Sequence, residues 1–237
     1  VSLRWHDKFY KKMKYTGLIL LYCCISWARF EPLLTQKQKK EIGMHIWRNE
    51  CGQSYEKLLY WNPHEPFVSC GIGHFIWIPQ QSTCKFTQTF PNLVAHLKKK
   101  NITIPTWLEL TYKKGAPWQD KHAFDQESEF DKKEQLRALL YATIDLQAEF
   151  CIAQLNKHLP AIVKAAPKKE QKKIKRNINL LLSSASGTFA LIDYLNFKGS
   201  GTNVAERYCN QGWGLAQVLQ TMEEDTIDAT GAFSQAA

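Results

Sequence analysis

Glu50 lies in the run Ile46-Trp47-Arg48-Asn49-Glu50-Cys51-Gly52, and Ser69-Cys70-Gly71-Ile72-Gly73-His74 follows a short distance on. A carboxyl beside Ile46 and Trp47 is partly removed from water, which favours its protonated form. Such a group can protonate a departing oxygen. Hydrolysis of a glycosidic bond needs that acid, together with a carboxylate or a held water that completes attack at the anomeric carbon. Between Glu50 and Ser69 the chain offers two carboxylates, Glu56 and Glu65. Glu56 falls near the start of the first expected strand, so Glu65 takes the second role. Ser69 supplies a hydroxyl that can hold water.

The order of these residues resembles the catalytic core of the phage-type lysozymes. That family places a catalytic Glu at the end of an early helix, with glycine close behind. A short β-hairpin follows, carrying an Asp and then a Thr just before Gly-Ile-Gly-His. Glu50 matches the Glu, Gly71-Ile72-Gly73-His74 matches the tetrapeptide, and Ser69 keeps a hydroxyl near the Thr position. The Asp is missing, and Asn62-Pro63-His64-Glu65 stands in the stretch nearby. The resemblance covers roughly residues 35–77, and the separation of Glu50 from Gly71 (71 − 50 = 21) describes a divergent member. It implies an α+β, mainly helical domain with a small antiparallel sheet near its N-terminus. It also implies an exported glycoside hydrolase that cleaves peptidoglycan or a related polysaccharide and uses no cofactor.

Further candidates line the expected cleft. His74 is a substrate-binding candidate, with a purely structural role as its alternative. Tyr194 and Trp213 could stack on sugar faces, and Asn196 and Gln217 could bond to N-acetyl groups. Gly214-Leu215-Ala216-Gln217 also resembles the Gly-Leu-Met-Gln element of lytic transglycosylases, but Glu206 lies too close to that element to serve as the acid. A thiol enzyme built on Cys70 and His74 is a rival reading. Four residues along a strand or tight turn seldom bring thiol and base together.

These side chains need elements to hold them. Thr35 can cap a helix carrying Ile42, Ile46 and Trp47, with Gly52 as its stop signal. The aromatic-rich stretches 55–61 and 67–77 read as a small antiparallel sheet. Stretches 92–100 and 105–112 read as short helices, and Gly115-Ala116-Pro117 as a break. Stretch 128–158 reads as the longest helix, ended by Pro160. Stretch 177–195 reads as core, 196–202 as a loop, 204–222 as a helix, and 226–237 as a frayed tail.

The chain has 237 residues, 44% of them hydrophobic, enough for a packed core. Its formal net charge of +9 points to an anionic partner. Lys168, Lys169, Lys172, Lys173, Lys175 and Arg176 concentrate that charge, read first as a solvated helix face. No nucleic-acid motif is present, so nucleic acid is not the expected partner. Met13-Lys14, the apolar run 17–25 and Ser26-Trp27-Ala28 read as a secretory signal. Residues 1–28 are therefore an upstream extension with a signal, and 29–237 a single domain, periplasmic or secreted. No later stretch could span a membrane. Five cysteines remain after the signal, an odd number for pairing, and none has zinc-site spacing, so no metal is expected. Two alternatives stand beside the hydrolase: an inactive lysozyme-like glycan-binding module and a basic interaction protein.

Overall fold

Helix α1 (Gln36–Cys51) starts on a reciprocal cap, with Thr35 Oγ1 accepting from Gln38 N at 3.3 Å and Gln38 Oε1 accepting from Thr35 N at 2.9 Å. It ends on Gly52, whose left-handed backbone (φ 58°) turns its N–H onto the Arg48 carbonyl. The computed structural model describes residues 30, 32–203, 212–223 and 227–237. The expected signal segment, Cys209 and Glu206 lie outside the described residues.

A 3-10 turn (Glu56–Leu58) leads from α1 into the antiparallel meander β1 (Leu59–Tyr60), β2 (Val68–Cys70) and β3 (Phe75–Trp77). Ser69 faces Tyr60 and Ile76 across its neighbours, and Cys70 faces Leu59 and Phe75. Short helices α2 (Phe90–Lys99), α3 (Thr106–Thr111) and α4 (Lys121–Asp125) follow. They enclose an aromatic cluster in which Trp77 lies 4.8 Å from Phe90 and 5.9 Å from Trp118, centroid to centroid. Gly115-Ala116-Pro117 does not act as a simple break. Ala116 pairs with the extension of β3, donating to the Ile78 carbonyl and accepting from Gln80 N.

The expected long helix at 128–158 is two helices, α5 (Phe130–Ala142) and α6 (Ile144–Ala165). Thr143 interrupts them, and its hydroxyl donates back to the Leu139 carbonyl at 2.8 Å. Pro160 does not end α6. It sits on the exposed side of the helix, while Leu159, Ile162 and Val163 keep the final turns anchored in the core. Gly43 lets α1 approach α6 closely, since an added Cβ would lie 3.0 Å from the Ile144 carbonyl.

The apolar stretch 177–195 is also divided, into α7 (Gln171–Leu182) and α8 (Ala185–Lys198), bent by 118°. Ser184 caps α8 by accepting from Gly187 N at 3.0 Å. Asn196 is therefore in the last turn of α8 and not in a loop. In the expected helix at 204–222 the described part is α9 (Leu215–Thr221), and the tail is the helix α10 (Ala229–Ala236) with Phe233 buried. Among the described residues no single helix is long and apolar enough to cross a membrane. Pro32–Ala237 forms one compact α+β unit in which α6 packs against α1, α2, α7, α8 and α9.

Glu149 on α6 joins three elements by ion pairs to Lys39 of α1 (3.0 Å) and to Lys100 just after α2 (2.6 Å). Burial alone would raise its carboxyl, but the two lysines outweigh it and hold it at about 2. Because the folded value lies below the unfolded one, this contribution is present above about 4.5 and lost as pH falls toward 2. Glu149→Gln should destabilise the protein by about 1 kcal/mol at pH 7, the range for solvent-screened pairs. Urea unfolding should show the difference shrinking below pH 4; a constant difference would remove the ion pairs as its cause.

Candidate active site

Glu50 is the penultimate residue of α1, so the turn at Gly52 fixes its place against the sheet. Its carboxyl is 28% exposed, and Oε2 lies 3.4 Å from His74 Nδ1. Burial raises the Glu50 carboxyl, and the charge of Asp193 raises it further. Burial lowers the His74 imidazole; the charge of Glu65 opposes that shift and Lys57 reinforces it. The pair has ion-pair geometry, yet both shifts favour neutral partners. The two proton affinities are shifted toward each other.

The β2–β3 turn carries His74, and each of its residues has a local reason. Gly71 has φ 72°, and an added Cβ would overlap Gln147 Oε1. Ile72 is fully buried, and its N–H donates to Gln147 Oε1 at 2.9 Å. At Gly73 an added Cβ would press on the Phe75 ring, 2.9 Å away, with Cys151 Sγ behind it at 3.5 Å. His74 occupies the left-handed region at φ 47°, which a non-glycine residue adopts only when its surroundings hold it there. Gln147 Nε2 also donates to the Leu140 carbonyl at 2.5 Å and to Thr143 Oγ1 at 3.2 Å, across the break between α5 and α6.

Of the other expected catalytic residues, Ser69 is buried and Glu65 is not. Ser69 is 7% exposed, on the same face of the sheet as Tyr60 and Ile76. Glu65 lies in the β1–β2 turn, half-buried; its N–H donates to the Asn62 carbonyl at 3.0 Å, and its carbonyl accepts from Trp61 Nε1 at 2.8 Å. Its link to the site is the charge that reaches His74.

The expected substrate-binding residues divide. Tyr194, Trp213 and Gln217 line a shallow cavity of about 180 Å³ with Gly212, Val218 and Thr221. Trp213 is 60% exposed, and its carbonyl accepts from Tyr194 Oη at 3.2 Å. The Gln217 amide is engaged within the protein, accepting from Gly214 N at 3.0 Å and donating to the Gly201 carbonyl at 3.1 Å. It shapes the loop that displays Trp213. Asn196 is exposed.

Asp193, one residue before Tyr194, reaches toward α1 instead, where its Oδ1 accepts from Asn49 Nδ2 at 3.3 Å. Its distance of 144 residues from Asn49 along the chain hid it from a reading of local motifs. Cys51 was missed for the opposite reason: it is the immediate neighbour of Glu50 and reads only as a helix-end residue. The thiol enzyme built on Cys70 finds no support in the geometry. Burial pushes the Cys70 thiol well up, and the thiol facing His74 is that of Cys51. Among the described residues no three His, Cys, Asp or Glu side chains gather in a way that could hold a metal, and Cys51, Cys70, Cys84 and Cys151 are free thiols.

No protein-family model, curated protein or solved structure matches the chain. The site is therefore argued from its own chemistry. Gln147→Leu removes the partner of the buried Ile72 N–H and the shortest bond to the Leu140 carbonyl, and should cost about 2 kcal/mol. Chemical denaturation measures this, and an unchanged midpoint would mean that those groups find other partners.

Proposed function

We propose that the chain is a lysozyme-like glycoside hydrolase acting on peptidoglycan or a related polysaccharide in the periplasm or outside the cell. The observation that carries the reading is the half-buried Glu50 carboxyl, which stands beside His74 and whose proton affinity is raised by burial and by the charge of Asp193. A carboxyl in that state can give its proton to a glycosidic oxygen near neutral pH. His74 stands beside Glu50 as a base, and the charge of Glu65 reaches its ring, which supports the reading of Glu65 as the second carboxylate. Attack at the anomeric carbon falls to Glu65 or to a water admitted at the edge of Ser69. Asp193, bonded to Asn49, serves to hold the proton on Glu50. The exposed Trp213 ring and Tyr194 offer apolar faces to sugar, and the +9 charge suits an anionic wall. No cofactor is required for this chemistry.

Purified cell walls provide the test. Fragment release by the mature protein should fall by about 100-fold or more in Glu50→Gln, the usual contribution of a general acid. Equal rates in both would end the assignment of Glu50. Binding to walls with no release by either protein would select the inactive glycan-binding module instead. Asp193→Asn removes a like charge, so Glu50 should lose its proton at lower pH. The alkaline limb of the rate profile should then move to lower pH; a limb that stays in place would detach Asp193 from the acid.

A further inference from the structure

The imidazole of His74 lies between two residues that are adjacent in sequence. Nδ1 is 3.4 Å from Glu50 Oε2, and Nε2 is 3.6 Å from Cys51 Sγ. Cys51 is fully buried, and its sulfur also lies 3.7 Å from the Lys57 carbonyl oxygen and 3.8 Å from that of Gly71. The thiol has one proton and three neighbours able to accept it. Two of those are carbonyls, which can only accept. A neutral imidazole has one N–H and one lone pair, so the partner of one nitrogen decides what the other presents.

With Glu50 protonated, as the proposed function requires, the group has one consistent polarity. The Cys51 S–H donates to a backbone carbonyl, and its sulfur accepts from His74 Nε2–H. His74 Nδ1 is then a bare acceptor facing the Glu50 carboxyl proton. We propose that Cys51 is a positioning residue that fixes His74 as the Nε2–H tautomer, so that His74 Nδ1 holds the proton of Glu50 in place. The inference rests on the reading of Glu50 as an acid, but the tautomer can be measured whether or not the chain cleaves anything.

Two observations fit this arrangement. His74 accepts a left-handed backbone that seats its ring between the two α1 residues. The Cys51 thiol is pushed up to about 12, by burial first and by Glu50 second, so it stays protonated as the chain of bonds requires. The groups that act on the pair from other elements are Lys57 on the 3-10 turn, Glu65 in the β1–β2 turn and Asp193 on α8, and the charge of Glu50 in turn reaches the buried Cys151 on α6. Cys151 is also pushed up to about 12 by burial and then by Glu50, so it too stays neutral. After Glu50 has given up its proton, the same imidazole is the nearest base through which a proton can return.

The experiment uses the full mature chain with ¹⁵N-labelled histidine. The Nδ1 and Nε2 shifts of His74 at neutral pH report the tautomer directly. The wild type should show the Nε2–H form, and Cys51→Ala should relax it toward a mixture. In wall hydrolysis Cys51→Ala should lower kcat several-fold with KM unchanged, and move the alkaline limb to lower pH. Cys51→Ser, which keeps a donor and an acceptor, should recover part of both effects. A dominant Nδ1–H form in the wild type would overturn the proposal, and this measurement needs no variant to fold. An unchanged tautomer in Cys51→Ala would overturn it equally. Absence of hydrolysis by the wild type, with the Nε2–H form present, would remove the function and leave the assignment of Cys51 standing.

Discussion

A buried amide must satisfy its carbonyl and its N–H groups inside the protein, and Gln147 does so by joining the β2–β3 turn to the junction of α5 and α6. Its oxygen accepts from the Ile72 N–H in the β2–β3 turn. Its nitrogen donates to the Leu140 carbonyl and to Thr143 Oγ1, where α5 has stopped and α6 has not begun. The interruption at Thr143 and the tight turn at Gly71 are therefore one feature. Without the helix break the amide would lack its acceptors; without glycine at 71 the turn could not approach the amide. Because the turn is clamped to α6, and α6 is packed against α1, His74 is delivered to the end of α1 where Glu50 stands.

The electrostatics of the site follow from that placement. Burial acts on Glu50 and His74 in opposite senses, raising the carboxyl and lowering the ring. Asp193 adds to the first shift. Glu65 works against the second. Neither residue of the pair is isolated enough to be a fixed charge, nor exposed enough to titrate as in water. A carboxyl whose proton affinity is raised beside a ring whose affinity is lowered is the arrangement that the proposed acid requires.

Much of this was legible locally. The cap at Thr35, the stop at Gly52 and a small antiparallel sheet each rest on chemistry within a few residues and were found where expected, although the stretch 67–77 forms two strands and not one. Gly71-Ile72-Gly73-His74 was legible as a motif but not in its causes, because Gln147 and Cys151 are supplied by a distant helix. The errors have the same origin. Pro160 reads as a helix terminator until the burial of Ile162 and Val163 beyond it is known. The bend between α7 and α8 depends on Ser184 capping a new helix in a stretch whose composition is apolar throughout. Phe233 secures the tail by packing its ring edge-on to Tyr194, 5.8 Å between centroids, a contact that no local pattern signals.

The hairpin holds no Asp, and the aspartate that acts on Glu50 is Asp193. A carboxylate in the hairpin would stand on the His74 side of Glu50 and favour a charged imidazole, as Glu65 does. Asp193 reaches Glu50 from α8 instead, and favours a neutral carboxyl. The two carboxylates thus raise different proton affinities, Glu65 that of the ring and Asp193 that of the acid. Asp193 is tied to Asn49, the residue before Glu50, so any shift of the end of α1 moves acid and charge together. Glu65 sits in a turn between two prolines and is joined to the ring by its charge alone. Of the two, the contribution of Asp193 is therefore built into the helical core. That of Glu65 depends on the conformation of its turn, so a change in the turn alters the ring and leaves the acid's own neighbour in place.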